Sequence, residues 1–291
     1  MNISLIVMSL EVNFIIIFDN HIHLRREGYF LNAVKDFKSA GGTHFILCQY
    51  PMTDLVIKNK SYKKCYEETL LIANEIRSEI DVGVFVTVGP YPVDYLKLSE
   101  KFGRESAISI MKKGVDEAVA LCEEKKCIGI GEIGRPHFKV DQQVILDCND
   151  IIFYAMQRAK DVDVPVVLHT ESTTPEQCKE LADLGKKAGF PVNKIVKHFS
   201  PPLILKEENY GIMPSVLASE KNIIEALKKG MRFMMETDYI DDPKRPGAVL
   251  GPKTIPRRTK DLIKKNILSE KEAYEIHKTN PEKTYNVCLD A

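Results

Sequence analysis

Six side chains in this sequence could do chemistry together. His21 and His23 alternate just past an apolar run at residues 14–18. Residues i and i+2 of a strand share a face, so both imidazoles point the same way and could hold one metal ion. Glu132, His169, His198 and Asp238 stand at or just beyond the C-terminal ends of further strand-like stretches, residues 127–131, 165–169, 194–198 and 231–235. Four imidazoles and two carboxylates suit one or two borderline divalent ions such as Zn, Mn, Fe, Co or Ni, whereas Mg would prefer more oxygen. Taken singly, each also has an ordinary reading. Glu132 could be a turn carboxylate between glycines, His169 a satisfied core imidazole, His198 a residue leading into Pro201-Pro202, and Asp238 a loop cap beside Asp241 and Asp242. Recurrence of the pattern at five strand ends favours the metal reading.

Such a gathering needs a scaffold that brings strand ends to one mouth. Strands are expected at residues 14–18, 44–48, 82–88, 127–131, 165–169, 194–198, 211–215 and 231–235, the seventh weakened by Pro214. Helices are expected between them: residues 27–40 closed by Gly41-Gly42, residues 62–80, and amphipathic stripes through Ile108, Met111, Val115, Ala118 and Cys122, and through Ile145, Cys148, Ile152, Ala155 and Ala159. Thr174 should cap a helix with Pro175 at its first position and Gln177 completing a capping box. A short helix is expected at 222–229, and broken helices from about 253 to 287, packing on the rest. Eight strands alternating with helices predict a (β/α)8 TIM barrel as a single domain over residues 1–291. An open doubly wound sheet is the rival, and the first strand lacks the GxGxxG of its dinucleotide-binding form.

Composition bounds the function. The 41 basic and 41 acidic residues balance, so no global field draws the chain to nucleic acid or to an acidic membrane. Seven scattered cysteines without CxxC spacing argue against a disulfide framework and for a reducing, cytoplasmic compartment. Residues 1–18 carry Glu11 and no basic start, unlike a signal peptide, and no 18-residue apolar run suggests a membrane span. Among the remaining histidines, His44 begins a strand at the far end of the barrel and His277 lies in the last helices. His137 follows Glu132 in a loop at the mouth, as a substrate contact or an ordinary loop histidine.

The pieces Asp19-Asn20-His21-Ile22-His23-Leu24, Gly131-Glu132-Ile133-Gly134, Pro165-Val166-Val167-Leu168-His169-Thr170, His198-Phe199-Ser200, Glu236-Thr237-Asp238 and Asn280-Pro281-Glu282-Lys283 together resemble the TatD-like metal-dependent hydrolases of the amidohydrolase superfamily. The resemblance implies that His21, His23 and Asp238 hold one ion, that His169 and His198 hold a second, and that Glu132 bridges or contacts both. It further implies a hydroxide between the ions attacking phosphorus or a carbonyl, with Asp238 relaying its proton to the leaving group. Two dications would lower the pKa of shared water toward neutrality and offset charge on the developing oxyanion.

Departures from the family pattern bear on substrate. Arg135-Pro136 replaces the usual Leu-Asp, and Glu171 stands where an arginine is usual. That loss removes a phosphate clamp, which Arg135 could restore from another loop. The loop at 239–258 carries Lys244, Arg245, Lys253, Arg257 and Arg258. Either it anchors an anionic substrate, Arg257 and Arg258 foremost, or it is a solvated basic loop that ties down the C-terminal helices. The expected function is a dinuclear hydrolase of a small anionic or phosphorylated substrate, a nucleotide, oligonucleotide or small phosphodiester. Balanced charge argues against tight binding of long duplex DNA. The alternatives are an amide, lactone or cyclic-imide hydrolase, whose carbonyl the same ions would polarise, and a barrel that binds metal without turnover.

Overall fold

The computed structural model describes residues 15–245 and 249–290. Phe14, most of the N-terminal stretch and residues 246–248 of the basic loop lie outside the described residues. Among the described residues nine parallel strands form one curled sheet: β1 Phe18–His23, β2 His44–Cys48, β3 Gly83–Val88, β4 Gly129–Gly134, β5 Val166–His169, β6 Ile195–Ser200, β7 Met213–Leu217, β8 Met234–Glu236 and β9 Tyr239–Ile240. The order runs from β8 through β1 to β9. Because β9 follows β8 after two residues and pairs with β1, the sheet closes on itself as a (β/α)8 barrel. At the gap in the ladder the Asp19 carboxylate accepts from Thr237 N at 3.0 Å and Thr237 Oγ1 at 2.6 Å, joining β1 to the end of β8.

Side chains alternate across this sheet. Phe18, Ile46, Cys48, Val167, Val196, Met213 and Met234 fill the interior, and Tyr285 and Leu289 from the C-terminal segment close it from below. Their strand neighbours, such as Phe45, Leu47, Val166, Leu168 and Ile195, pack outward against helices. Helix Pro175–Ala188 begins on the expected capping box, with Thr174 N donating to Gln177 Oε1 at 2.8 Å, and ends at Gly189 in the left-handed region, φ +67°. Helices Thr53–Asn59 and Asp94–Phe102 lie where no helix was expected. No helix among the described residues is long and apolar enough to cross a membrane, and all seven cysteines are unpaired.

Several strands run further than their apolar runs indicate. The first begins at Phe18 and carries both histidines inside it, and β4 and β6 likewise contain Glu132 and His198. In all three the register slips by one extra residue, between Asp19 and Ile22, Ile130 and Ile133, and Lys197 and Ser200. Each slip spans a proposed ligand. In β1 strict alternation from inward Phe18 would send Asn20 and Ile22 inside, yet Ile22 packs outward, so His21 and His23 take the inner face. In β4 both Ile130 and Ile133 pack outward, which turns Glu132 inward. Bulges re-aim side chains next to functional sites in this way.

Candidate metal centre

At the C-terminal mouth the Glu132 carboxylate is surrounded by imidazoles. Its Oε1 lies 2.9 Å from His169 Nδ1, 3.2 Å from His198 Nε2 and 3.6 Å from His21 Nε2, and its Oε2 lies 3.7 Å from His23 Nε2. The His21 and His23 Nε2 atoms are 3.0 Å apart. Two donor groups therefore share Glu132: His21, His23 and Glu132, and Glu132, His169 and His198. Asp238 Oδ1 stands farther out, 3.9 Å from the Nε2 of His21, His23 and His198. Asp238 has φ +50°, a conformation that costs an ordinary residue about 1–3 kcal/mol and clusters at functional sites.

Each imidazole has a partner on its far side. His23 Nδ1 lies 3.2 and 3.1 Å from the carbonyl oxygens of Cys48 and Gln49, which can only accept, so Nδ1 carries the proton and the Nε2 lone pair faces the mouth. His21 Nδ1 meets Cys48 Sγ at 3.3 Å, and that sulfur receives the Thr87 hydroxyl at 3.3 Å. His198 Nδ1 lies 3.0 Å from Glu236 Oε1. Glu236 is itself held by Phe199 N at 2.7 Å and Ser215 Oγ at 2.5 Å, and Ser215 accepts from Asn20 Nδ2 at 2.8 Å. Gly134 has no room for a side chain, since a Cβ would come within 1.8 Å of the His169 carbonyl oxygen. This close approach seats β4 against β5.

Burial pushes the His21, His23 and His198 imidazoles below their ordinary pKa, toward the neutral state a metal ligand needs. Burial alone would raise Glu132, but His169, His21 and His23 outweigh it and hold the carboxylate ionised. Glu236 and Asp238 are pushed well up, first by burial and then by neighbouring carboxylates, Asp238 beside Glu236 and Glu132 and Asp19 beside Asp238. Acidic groups crowded among neutral imidazoles leave a deficit of positive charge. Donor atoms around a tetrahedral ion with bonds of roughly 2.0–2.2 Å stand roughly 3.3–3.6 Å apart, and the first group's separations of 3.0, 3.6 and 3.7 Å bracket that spacing. The residues fit a divalent cation.

The mouth opens into a cavity of about 620 Å³ whose wall includes Tyr50, Pro51, Tyr91, Phe199, Ile240 and Arg245. A second cavity of about 630 Å³ lies at the barrel's opposite end beside His44 and gathers no such cluster.

The family model described as "TatD related DNase" matches residues 18–286. The chain belongs to this family. The TatD-family chain is also 39% identical over 275 residues to the uncharacterized protein MJ1127 of Methanocaldococcus jannaschii, covering 94% of this chain and 96% of that one. Its fold is similar to that of YjjV, a TatD homolog from Escherichia coli, with TM-score 0.62, 19% identity and coverage of 93% and 98%. It is likewise similar to the Escherichia coli phosphotriesterase homology protein, whose structure holds phosphate in its active site, with TM-score 0.61, 15% identity and coverage of 92% and 98%. TatD-family proteins typically use divalent metals, and this chain presents ligand groups of that kind.

All six motif residues of this TatD-family chain meet at the mouth, whereas three of the four expected substrate contacts do not. Arg135 is buried, and its guanidinium is spent on Asn149 at 2.7 Å, Glu171 at 3.2 Å and Glu180 at 2.6 Å. It pairs with Glu171 and points between helices Gln142–Asp161 and Pro175–Ala188, not into the cavity. Arg257 is exposed on helix Thr254–Lys264, and Arg258 bonds Glu220 at 2.8 Å; neither lines the mouth. The basic loop contributes Arg245 instead, which is tied to Asp242 at 3.0 Å. His137 does line the mouth, with Nδ1 3.0 Å from His169 Nε2. Sequence reasoning missed Cys48, Tyr50, Tyr91 and Ser215, which carry no motif, and gave no role to Glu236, which sat inside a quoted motif.

Proposed function

We propose that this TatD-family chain is a dinuclear metal-dependent hydrolase of compact phosphoesters. The reading rests on one observation: two ligand groups share Glu132 at the floor of a cavity walled mainly by aromatic and apolar side chains. His21, His23 and Glu132, completed by Asp238, would hold one divalent ion, and Glu132, His169 and His198 the other. When bound, the ions would activate water and polarise the bond to be cut. Asp238 accepts the proton of the attacking water and returns it to the leaving oxygen; its buried, crowded carboxyl is suited to carry a proton. Tyr50, Tyr91 and Phe199 exclude water and flank a flat leaving group, and Arg245 meets a single negative charge. The substrate is thus a nucleotide, a short oligonucleotide end or a small phosphodiester. The phosphotriesterase homology protein, of similar fold, holds phosphate in its active site, which supports this reading.

The apolar wall with its single arginine also favours a second reading, hydrolysis of a lactone, amide or cyclic imide. A panel assay of Mn- and Zn-loaded protein against aryl phosphodiesters, nucleotides, oligonucleotides, lactones and cyclic amides separates the two. Turnover of phosphodiesters supports the first reading; turnover of carboxyl derivatives alone replaces it with the second.

A further inference from the structure

Of the four imidazoles facing Glu132, His169 is the least enclosed. Its side chain is 15% exposed, against 0% for His21, 6% for His23 and 4% for His198. The other three have far-side partners from the barrel itself: strand carbonyls, a core sulfur and a buried carboxylate. His169 is the last residue of β5, and its far-side partner comes from a loop. We propose that His137 is a positioning residue that fixes the tautomer and angle of His169 and so sets the affinity of the Glu132, His169 and His198 cation position. The inference rests on the two-position reading above.

The chemistry follows from proton counting. His169 Nδ1 is the nitrogen that faces Glu132, at 2.9 Å. To bind a cation there, Nδ1 must keep its lone pair, so the ring's proton sits on Nε2. That Nε2–H points at His137 Nδ1, 3.0 Å away, which must then be the accepting nitrogen of a neutral ring. A bare His169 could adopt either tautomer or swing outward; paired to His137 it presents one. The ring is also bracketed edge-on by Tyr91, centroids 5.3 Å apart, and by His137, 5.2 Å.

His137 can do this because its loop is fixed two residues earlier. Arg135 N donates to the His169 carbonyl at 2.8 Å, and its side chain bonds Asn149, Glu171 and Glu180. The arginine that fails as a substrate clamp anchors the loop, and Pro136 stiffens the link to His137.

The test measures metal binding, not turnover. Metal-free protein is titrated with Zn by equilibrium dialysis and with Co(II) by visible absorption, for the wild type, His137→Phe and His137→Gln. The phenyl ring keeps bulk without an acceptor, while the Gln amide oxygen can still accept from Nε2–H. In His137→Phe the second cation should bind roughly ten- to a hundredfold more weakly, as loss of an outer partner typically costs. The first should be unaffected, and His137→Gln should recover most of the loss. Two cations bound with wild-type affinities in His137→Phe would overturn the inference alone, as would equal weakening in both variants. Uptake of one cation by the wild type would refute the two-position reading and the inference with it.

Discussion

The roles of Glu132 and Asp238 can be separated by two isosteric changes. Glu132 belongs to both donor groups, with its oxygens 2.9–3.7 Å from four imidazole nitrogens. Asp238 belongs to neither and stays 3.9 Å from the nearest three. Glu132→Gln removes the shared charge and should weaken cation uptake by more than the roughly ten- to hundredfold typical of an outer partner. Asp238→Asn keeps an oxygen donor and loses the proton acceptor. Asparagine tolerates the left-handed φ of +50° at this position, so the fold should hold. The expected loss in kcat is therefore that of a general acid–base, about 10²–10⁴-fold or roughly 3–5 kcal/mol of barrier, with metal content close to wild type. Metal analysis of reloaded protein, paired with steady-state kinetics on the substrate found by the panel, reads both quantities. If Asp238→Asn sheds a cation as completely as Glu132→Gln, its carboxylate is chiefly a ligand and the relay assignment fails. If its kcat stays within about threefold of wild type, nothing is relayed there. If metal is retained but the wild type turns over no member of the panel, the chain is a binding barrel.

Cation loading should also stabilise the fold. At a hundredfold excess over Kd, linkage gives about 2.7 kcal/mol per ion, a rise of roughly 4–5 °C in Tm per ion at this chain size; a melt unchanged between chelator and Mn or Zn would refute the site. Arg135→Met should cost about 1–3 kcal/mol in urea unfolding by removing the charge-assisted hydrogen bonds that its buried guanidinium makes to Asn149, Glu171 and Glu180, and leave KM for anionic substrates unaltered, while Arg245→Ala should raise KM. A KM effect at position 135 would restore its clamp role. His277 is fully buried, with its ring against Phe18 and the Thr259 hydroxyl, and burial pushes its pKa from 6.5 down to about 4, a backbone bond to Phe18 offsetting part of that. A depressed histidine leaves the unfolded chain holding more protons between those values. Its contribution is thus complete above pH 6.5 and declines as pH falls toward 4, by about 2 kcal/mol at pH 5. In chelated protein His277→Gln should flatten the wild-type fall in stability between pH 7 and pH 5 by that amount; parallel curves would show that the ring titrates normally.

The alternation of apolar runs with helical stripes placed eight strands nearly correctly, because core burial writes itself into local periodicity. It ended the first strand at Phe18, where the structure begins it, because the functional stretch Asp19–His23 is buried but polar and hydropathy cannot distinguish that from a loop. The register slips had no sequence signal at all. They arise from how β1 pairs with β2 and β4 with β5, and they decide which of two adjacent residues faces the metal mouth. Ligand types survived this blindness because imidazole and carboxylate are recognisable wherever they point. Substrate contacts did not, because an arginine's role depends on its partners. Arg135 was read from its place after Glu132, yet Glu171 and Glu180 capture it. Their negative charge is visible in the sequence, but their closeness to Arg135 comes only from the fold. Captured by these glutamates, Arg135 keeps its charge out of the mouth, and its anchored backbone brings His137 against His169.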